Sequence, residues 1–206
     1  MRRALLLLLA ATPAWGQIPP ELDRFVLEPQ HRAAVLATAR QEDAGIIAAC
    51  ATATVQAGEA LTIFRPVQFD PAGKPTAGAW RERLRVVGCG QTRILNVLSL
   101  VRGPGQLAIG PLLAGDTQAD PVLQRDSVRI AFAAASAAFS GCQDAAVIDT
   151  HYAGPEGAAN PTLPLARRIP PWREDWTLRG CGKQIVLPLH FIPDATGTTI
   201  RASQPK

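Results

Sequence analysis

The chain has 206 residues, 47% of them apolar but only 5% aromatic, and its 21 Lys and Arg against 17 Asp and Glu leave a net charge of +4. Such a composition builds a core and excludes a disordered chain. Beyond a short N-terminal run it also excludes a membrane-spanning helix, which needs roughly 20 apolar residues, and so small a positive excess argues against a nucleic-acid partner.

Met1-Arg2-Arg3 precedes an apolar run from Ala4 to Ala11, and Ala14-Trp15-Gly16 places small residues at the −3 and −1 positions before Gln17. This pattern predicts a secretory signal peptide over residues 1–16. Its removal leaves 190 of the 206 residues and, with Arg2 and Arg3 gone, lowers the net charge from +4 to +2. No cysteine follows the cleavage point, so no lipid attachment is expected, and the mature chain is expected in the periplasm or outside the cell.

Gln17–Leu27, with Pro19-Pro20, reads as an extended lead-in. Pro29 suits a first helical position and Arg32–Arg40 consists of good helix formers. Gly45 predicts a bend before Ile46–Cys50, so this helix, or a second short one, delivers Cys50 near its C-terminal end. Leu61, Ile63, Val67 and Phe69 alternate as in a strand that ends at the turn Asp70-Pro71-Ala72-Gly73. In the next strand Trp80, Glu82, Leu84 and Val86 share one face, while Arg81, Arg83 and Arg85 share the other. Cys89-Gly90-Gln91 reads as a tight turn into Ile94–Val101, which is apolar on both faces and therefore central. Residues 102–119 hold Gly103, Pro104, Gly105, Gly110, Pro111 and Gly115 and read as a connection.

Asp120-Pro121 predicts a helix N-cap followed by proline at the first helical position. Val128, Phe132, Ala135 and Phe139 make one apolar stripe, closed by Gly141 before Cys142. A strand over Ala145–Tyr152 and a Pro-rich excursion over 154–171 lead to Trp172. After Gly182-Lys183, Ile185, Leu187, Leu189 and Phe191 share a face, with Pro188 pointing to an edge strand or a bulge. Pro193–Gly197 is a turn into a last strand, Thr198–Arg201.

WRERLRVVGCG at residues 80–90 recurs as WREDWTLRGCG at residues 172–182. The shared residues are Trp80, Arg81, Glu82, Gly88, Cys89 and Gly90, matched by Trp172, Arg173, Glu174, Gly180, Cys181 and Gly182. The offset from 80 to 172 is the offset from Cys50 to Cys142, so the repeat is longer than the motif. It predicts halves at 17–103 and 120–206 joined by a Gly/Pro-rich linker at 104–119. Four cysteines allow three pairings, and the repeat selects Cys50 with Cys89 and Cys142 with Cys181, each bridge contributing about 4 kcal/mol on loop-entropy grounds. With no C-x-x-C pair, no metal or other cofactor is expected. Trp80 and Cys89 are an odd number of residues apart, which would put them on opposite strand faces. Either a glycine bulge re-aims the cysteine or the bridge sits at the strand's end.

The chemistry-bearing residues are few. Glu82 and Glu174 fall on the Trp face, where a carboxylate that accepts hydrogen bonds from amides or an arginine is a structural element. Arg81, Arg83 and Arg85, and Arg167, Arg168, Arg173 and Arg179, lack interleaved aromatics and are expected to be solvated. His31, His151 and His190 are scattered without metal-ligand spacing. Asp149 and His151 share a strand face and form the best acid–imidazole pair, but no G-x-S-x-G elbow accompanies them and Ser140 reads as a helix-end residue. Nor is there a nucleotide-binding glycine loop.

Trp172-Arg173-Glu174-Asp175-Trp176, then Cys181-Gly182, Val186–Pro193 and Gly197-Thr198-Thr199, resembles a W-x-E-x-W, C-G, P-D, G-T pattern of small exported bacterial proteins of unknown activity. The resemblance covers the last quarter of the chain and implies a bacterial, envelope-facing setting. The first copy departs from it at Leu84.

The sequence thus predicts an α+β protein built as a tandem pseudo-twofold repeat, each half a helix stapled by a disulfide to a small antiparallel sheet. The halves would pack through apolar sheet faces or share one sheet. Its expected function is non-enzymatic binding of an envelope protein or small ligand, at the groove between halves or at the 154–171 excursion. The alternatives are a small secreted hydrolase using Asp149 and His151, and a structural accessory protein.

Overall fold

The computed structural model of the chain describes residues 18–42, 50 and 52–205. The predicted signal peptide and the bend at Gly45 lie outside the described residues. The fold is α+β, and the described residues form three α-helices and two separate four-stranded antiparallel sheets. No described helix is long and apolar enough to cross a membrane.

The first sheet is a meander of β1 (Thr54–Phe69), β2 (Pro75–Gly88), β3 (Gln91–Gly103) and β4 (Gln106–Leu112). The predicted turn at Asp70 is present, with Gly73 N–H donating to the Asp70 carbonyl at 2.9 Å. Two expectations are corrected here. The 17–27 lead-in is helical as α1 (Pro20–Val26): Pro20 starts it, and Leu22 and Phe25, three residues apart, are buried against Trp80 and Val101. The segment predicted as a linker at 104–119 contains β4, which pairs with β3 from Asn96 to Gly103, so the boundary at residue 103 would cut a hairpin. Pro104 and Gly105 serve a hairpin turn, and Gly110 and Pro111 lie in an edge strand.

Helix α2 (Pro29–Glu42) begins where Pro29 predicts. Its His31, Val35 and Ala39 are buried four residues apart, and Val35 and Ala39 pack on the Leu84, Val86, Leu95 and Val97 face of β2 and β3. The second sheet comprises β5 (Ala146–Pro155), β6 (Trp172–Gly180), β7 (Lys183–Pro193) and β8 (Thr198–Ala202), with a single 3-10 turn at Leu165–Arg167 in the excursion. Over it lies α3 (Pro121–Ala135), capped by the Asp120 carboxylate, which accepts from Val122 N–H and Leu123 N–H at 2.9 Å. The predicted stripe is shifted: Gln124, Ser127, Ala131 and Ala135 are deepest, and Phe139 is buried beyond the helix end. Small residues at the contact let the helix lie close over Trp172, Trp176, Leu187, Leu189 and Phe191, whose burial contributes about 1.5–3 kcal/mol each for the aliphatic side chains. The helices, and not the opposing sheet, therefore cover the apolar sheet faces.

Pro188 corrects a third expectation, because β7 lies between β6 and β8 and keeps its register there. Its carbonyl accepts Ser203 N–H at 2.9 Å, so its nitrogen points past Ala202, where β8 has ended. A missing N–H breaks no ladder bond at that position.

Both disulfides join the cysteines the repeat selects, Cys50 to Cys89 and Cys142 to Cys181. Cys89-Gly90 and Cys181-Gly182 are two-residue hairpin turns, with φ of 49° and 74° in the first and 48° and 74° in the second. Positive φ at both central residues matches the twist of the flanking strands. The bridges thus sit at strand ends and no bulge is needed.

Candidate functional site

The Trp-Arg-Glu triplet resolves into two strand faces. On the helix-covered face the indole N–H of Trp80 donates to Glu82 Oε1 at 3.1 Å, and that of Trp172 donates to Glu174 Oε1 at 2.9 Å. Residues two apart on a strand point the same way, so each carboxylate lies beside its indole. Glu82 Oε1 also accepts from His31 Nε2 at 2.6 Å. Glu174, fully buried, accepts from Gln118 N–H on Oε1 and from Trp176 Nε1 on Oε2, both at 2.9 Å. His31 escapes sequence reasoning because it is on α2, 51 residues away.

On the other face the expectation of a solvated arginine row fails at Arg81, which is 6% exposed. It donates to the Thr117 carbonyl at 2.9 Å and to Thr62 Oγ1 at 3.2 Å. Burial, with repulsion from Arg83, lowers its guanidinium to about 10 against the attraction of Glu174. Around the second motif Arg168 donates to the Leu163 carbonyl at 2.7 Å, and Arg173 Nε is 3.3 Å from Asp175.

Arg81 and Glu174 grip a strap, residues 113–120, that runs between the two sheets. Asn96 Nδ2 donates to the Leu113 and Gly115 carbonyls at 2.8 Å, and Gly115 N–H donates to the Ile94 carbonyl at 2.8 Å. On the other side Asp116 N–H donates to the Thr150 carbonyl at 2.9 Å, and Asp116 Oδ1 accepts from Tyr152 N–H at 2.6 Å. A Cβ at Gly115 would collide with the Thr150 backbone.

The structure pairs His151 with Asp116 and not with Asp149. The His151 side chain is 68% exposed and its ion-pair partner, at 3.7 Å, is Asp116. Burial raises the Asp149 carboxyl above its ordinary value while Arg93 opposes the shift. Another imidazole is better placed: His190 Nδ1 is 2.7 Å from Glu156 Oε2, and its Nε2 is 2.8 Å from Ser203 Oγ. Cys142, Asp144 and Cys181 crowd together, but with the sulfurs joined neither offers a thiolate for a metal, and Asp144 Oδ1 accepts Cys181 N–H at 3.0 Å. Asp194 is a turn residue, its carboxyl held well below the ordinary range by the hydroxyls of Thr196 and Thr199 and the amides of Thr196 and Gly197.

Ile18, Leu27, Val122 and Ile169, all exposed, line two recesses. Ile18 and Leu27 line one of about 290 Å³, beside Val26, Leu61 and Glu82. The other, about 730 Å³, lies between the start of α3, the excursion and the β7–β8 turn. Val122, Ile169, Trp172 and Pro193 line it with Asp126 and Arg167. No family model, curated protein or solved structure matches this chain.

Proposed function

We propose that the protein is an exported binding module of the bacterial envelope, built from two related halves, and that the larger recess takes an extended polypeptide segment bearing an apolar side chain. The observation that carries this reading is the pair Val122 and Ile169, exposed by 58% and 48%, lining one groove together with Trp172 and Pro193. Apolar side chains scattered singly on a surface need no explanation, but grouped at a recess they mark a contact site. Asp126, Arg167 and Gln118 supply polar groups for a peptide backbone, and the groove is too large for a single side chain.

The relation of the halves is supported by the matched hairpins at Cys89 and Cys181 and by the Trp-to-Glu bond in each motif. Glycine precedes each cysteine for one reason: a Cβ at Gly88 would come within 2.9 Å of Cys50 Sγ, and one at Gly180 within 2.8 Å of Cys142 Sγ. Export is supported by the N-terminal pattern and by the two disulfides, which persist in oxidising compartments.

A displayed library of short peptides tests the groove. Wild-type protein should select peptides with a large apolar residue, and Val122→Asp with Ile169→Asp should weaken their binding about tenfold or more, as expected when apolar contacts worth about 1.4 kcal/mol are lost. Selection unaffected by the double substitution would remove the groove from the account.

A further inference from the structure

The hydrogen-bonded chain Glu156–His190–Ser203 is used neither by the fold's core nor by the proposed groove. We propose that it is a serine acyl-transfer site acting on accessible carboxylic esters, with Ser203 as nucleophile, His190 as general base and Glu156 as the positioning residue.

Three separate elements bring the groups together. His190 lies on β7 with its side chain on the face opposite buried Leu189 and Phe191. Ser203 continues the line of β8 by donating its N–H to Pro188, which brings its hydroxyl within 2.8 Å of His190 Nε2. Glu156 opens the excursion, where its N–H donates to the Pro171 carbonyl and its carboxylate reaches His190 Nδ1 at 2.7 Å.

The chemistry follows from donor and acceptor identities. An ionised carboxylate only accepts, so the neutral form of the imidazole carries its proton on Nδ1 and presents Nε2 as an acceptor. That is the tautomer able to take a proton from the Ser203 hydroxyl, and both contacts lie within the 2.6–3.2 Å reach a general base requires. The side chains of His190 and Glu156 are 27% and 34% exposed, so an ester can approach from solvent. Arg201 is the register partner of His190 on β8, as Arg173 is on β6. Arg201 stands two residues before Ser203, about 7 Å along an extended chain.

In the first step Ser203 Oγ bonds to the ester carbon, its proton passes to His190 Nε2, and the carbonyl π pair moves to oxygen. Collapse re-forms the carbonyl, breaks the bond to the alcohol oxygen, and returns the proton from His190 to the departing alkoxide. Water repeats the sequence on the acyl-serine, releasing the acid and restoring Ser203.

The test uses the mature protein with both disulfides formed, a fluorophosphonate probe, and p-nitrophenyl acetate as substrate. The probe should label Ser203, located by peptide mass, and ester turnover should exceed one equivalent per chain. Ser203→Ala should abolish labelling. His190→Ala should slow it about 100-fold or more, the low end of general-base contributions. Glu156→Gln should leave slow labelling of the same serine. Circular dichroism of the exposed-site variant Ser203→Ala guards against loss of fold. An unlabelled Ser203 in folded protein, or labelling that His190→Ala does not slow, would overturn the proposal and leave the chain a clasp between excursion and tail.

Discussion

The two motif carboxylates make different demands on their surroundings. Glu174 uses both oxygens, Oε1 for Trp172 and Gln118 and Oε2 for Trp176. An amide there must turn its NH₂ toward another donor, whichever way it is flipped. Among the described residues Glu82 uses only Oε1, for Trp80 and His31, and it also borders the smaller recess. A glutamine can keep that oxygen in place and send its NH₂ toward the recess. Urea denaturation should therefore show Glu174→Gln losing about 3 kcal/mol and Glu82→Gln about 1 kcal/mol. Equal losses would mean that the free oxygen of Glu82 is also needed. The same-face spacing of Trp and Glu was legible in the sequence, and so was a structural role for the carboxylate. His31 and Gln118 were not, because 51 and 56 residues separate them from the carboxylates they meet.

Among the elements, α2, the Asp120 cap, the hairpins at the cysteines and the alternating strands could be read from propensity, capping and turn chemistry. Helix α1 could not, since seven residues behind two prolines carry too short a period, and only contact with Trp80 gives Leu22 and Phe25 a face to bury. Strand β4 was hidden by the same Gly and Pro residues that make its turn and its edge. The hairpin glycines separate two effects. Gly182 needs only its φ of 74°, with nothing within 4 Å of a Cβ, whereas a Cβ at Gly180 would press within 2.8 Å of the Ala145 backbone and Cys142 Sγ. Gly182→Ala should cost about 1 kcal/mol, and Gly180→Ala about 2–3 kcal/mol, because backbone cannot move aside. Thermal melts of the oxidised protein compare them; the reverse order would refute this account of the turn.

At the scale of the molecule, the segment read as a linker is a connection hydrogen-bonded to both sheets. Its partners Asn96, Arg81, Thr150 and Glu174 lie on other strands, so no local pattern announces them. If the strap fixes one sheet to the other, Gly115→Ala should raise amide exchange across residues 113–120 and at Ile94 and Thr150, while β6 and β7 stay protected. Uniform loss of protection in both sheets would instead make the strap part of a single cooperative unit.

We propose an exported chain with two related halves, each closed by its own bridge. Intact mass and non-reducing peptide mapping of protein recovered from the periplasm of an expressing bacterium test this directly. The predicted result is a chain beginning at Gln17, with Cys50 linked to Cys89 and Cys142 linked to Cys181. A chain retaining residues 1–16, or a peptide joining Cys50 to Cys142, would contradict it.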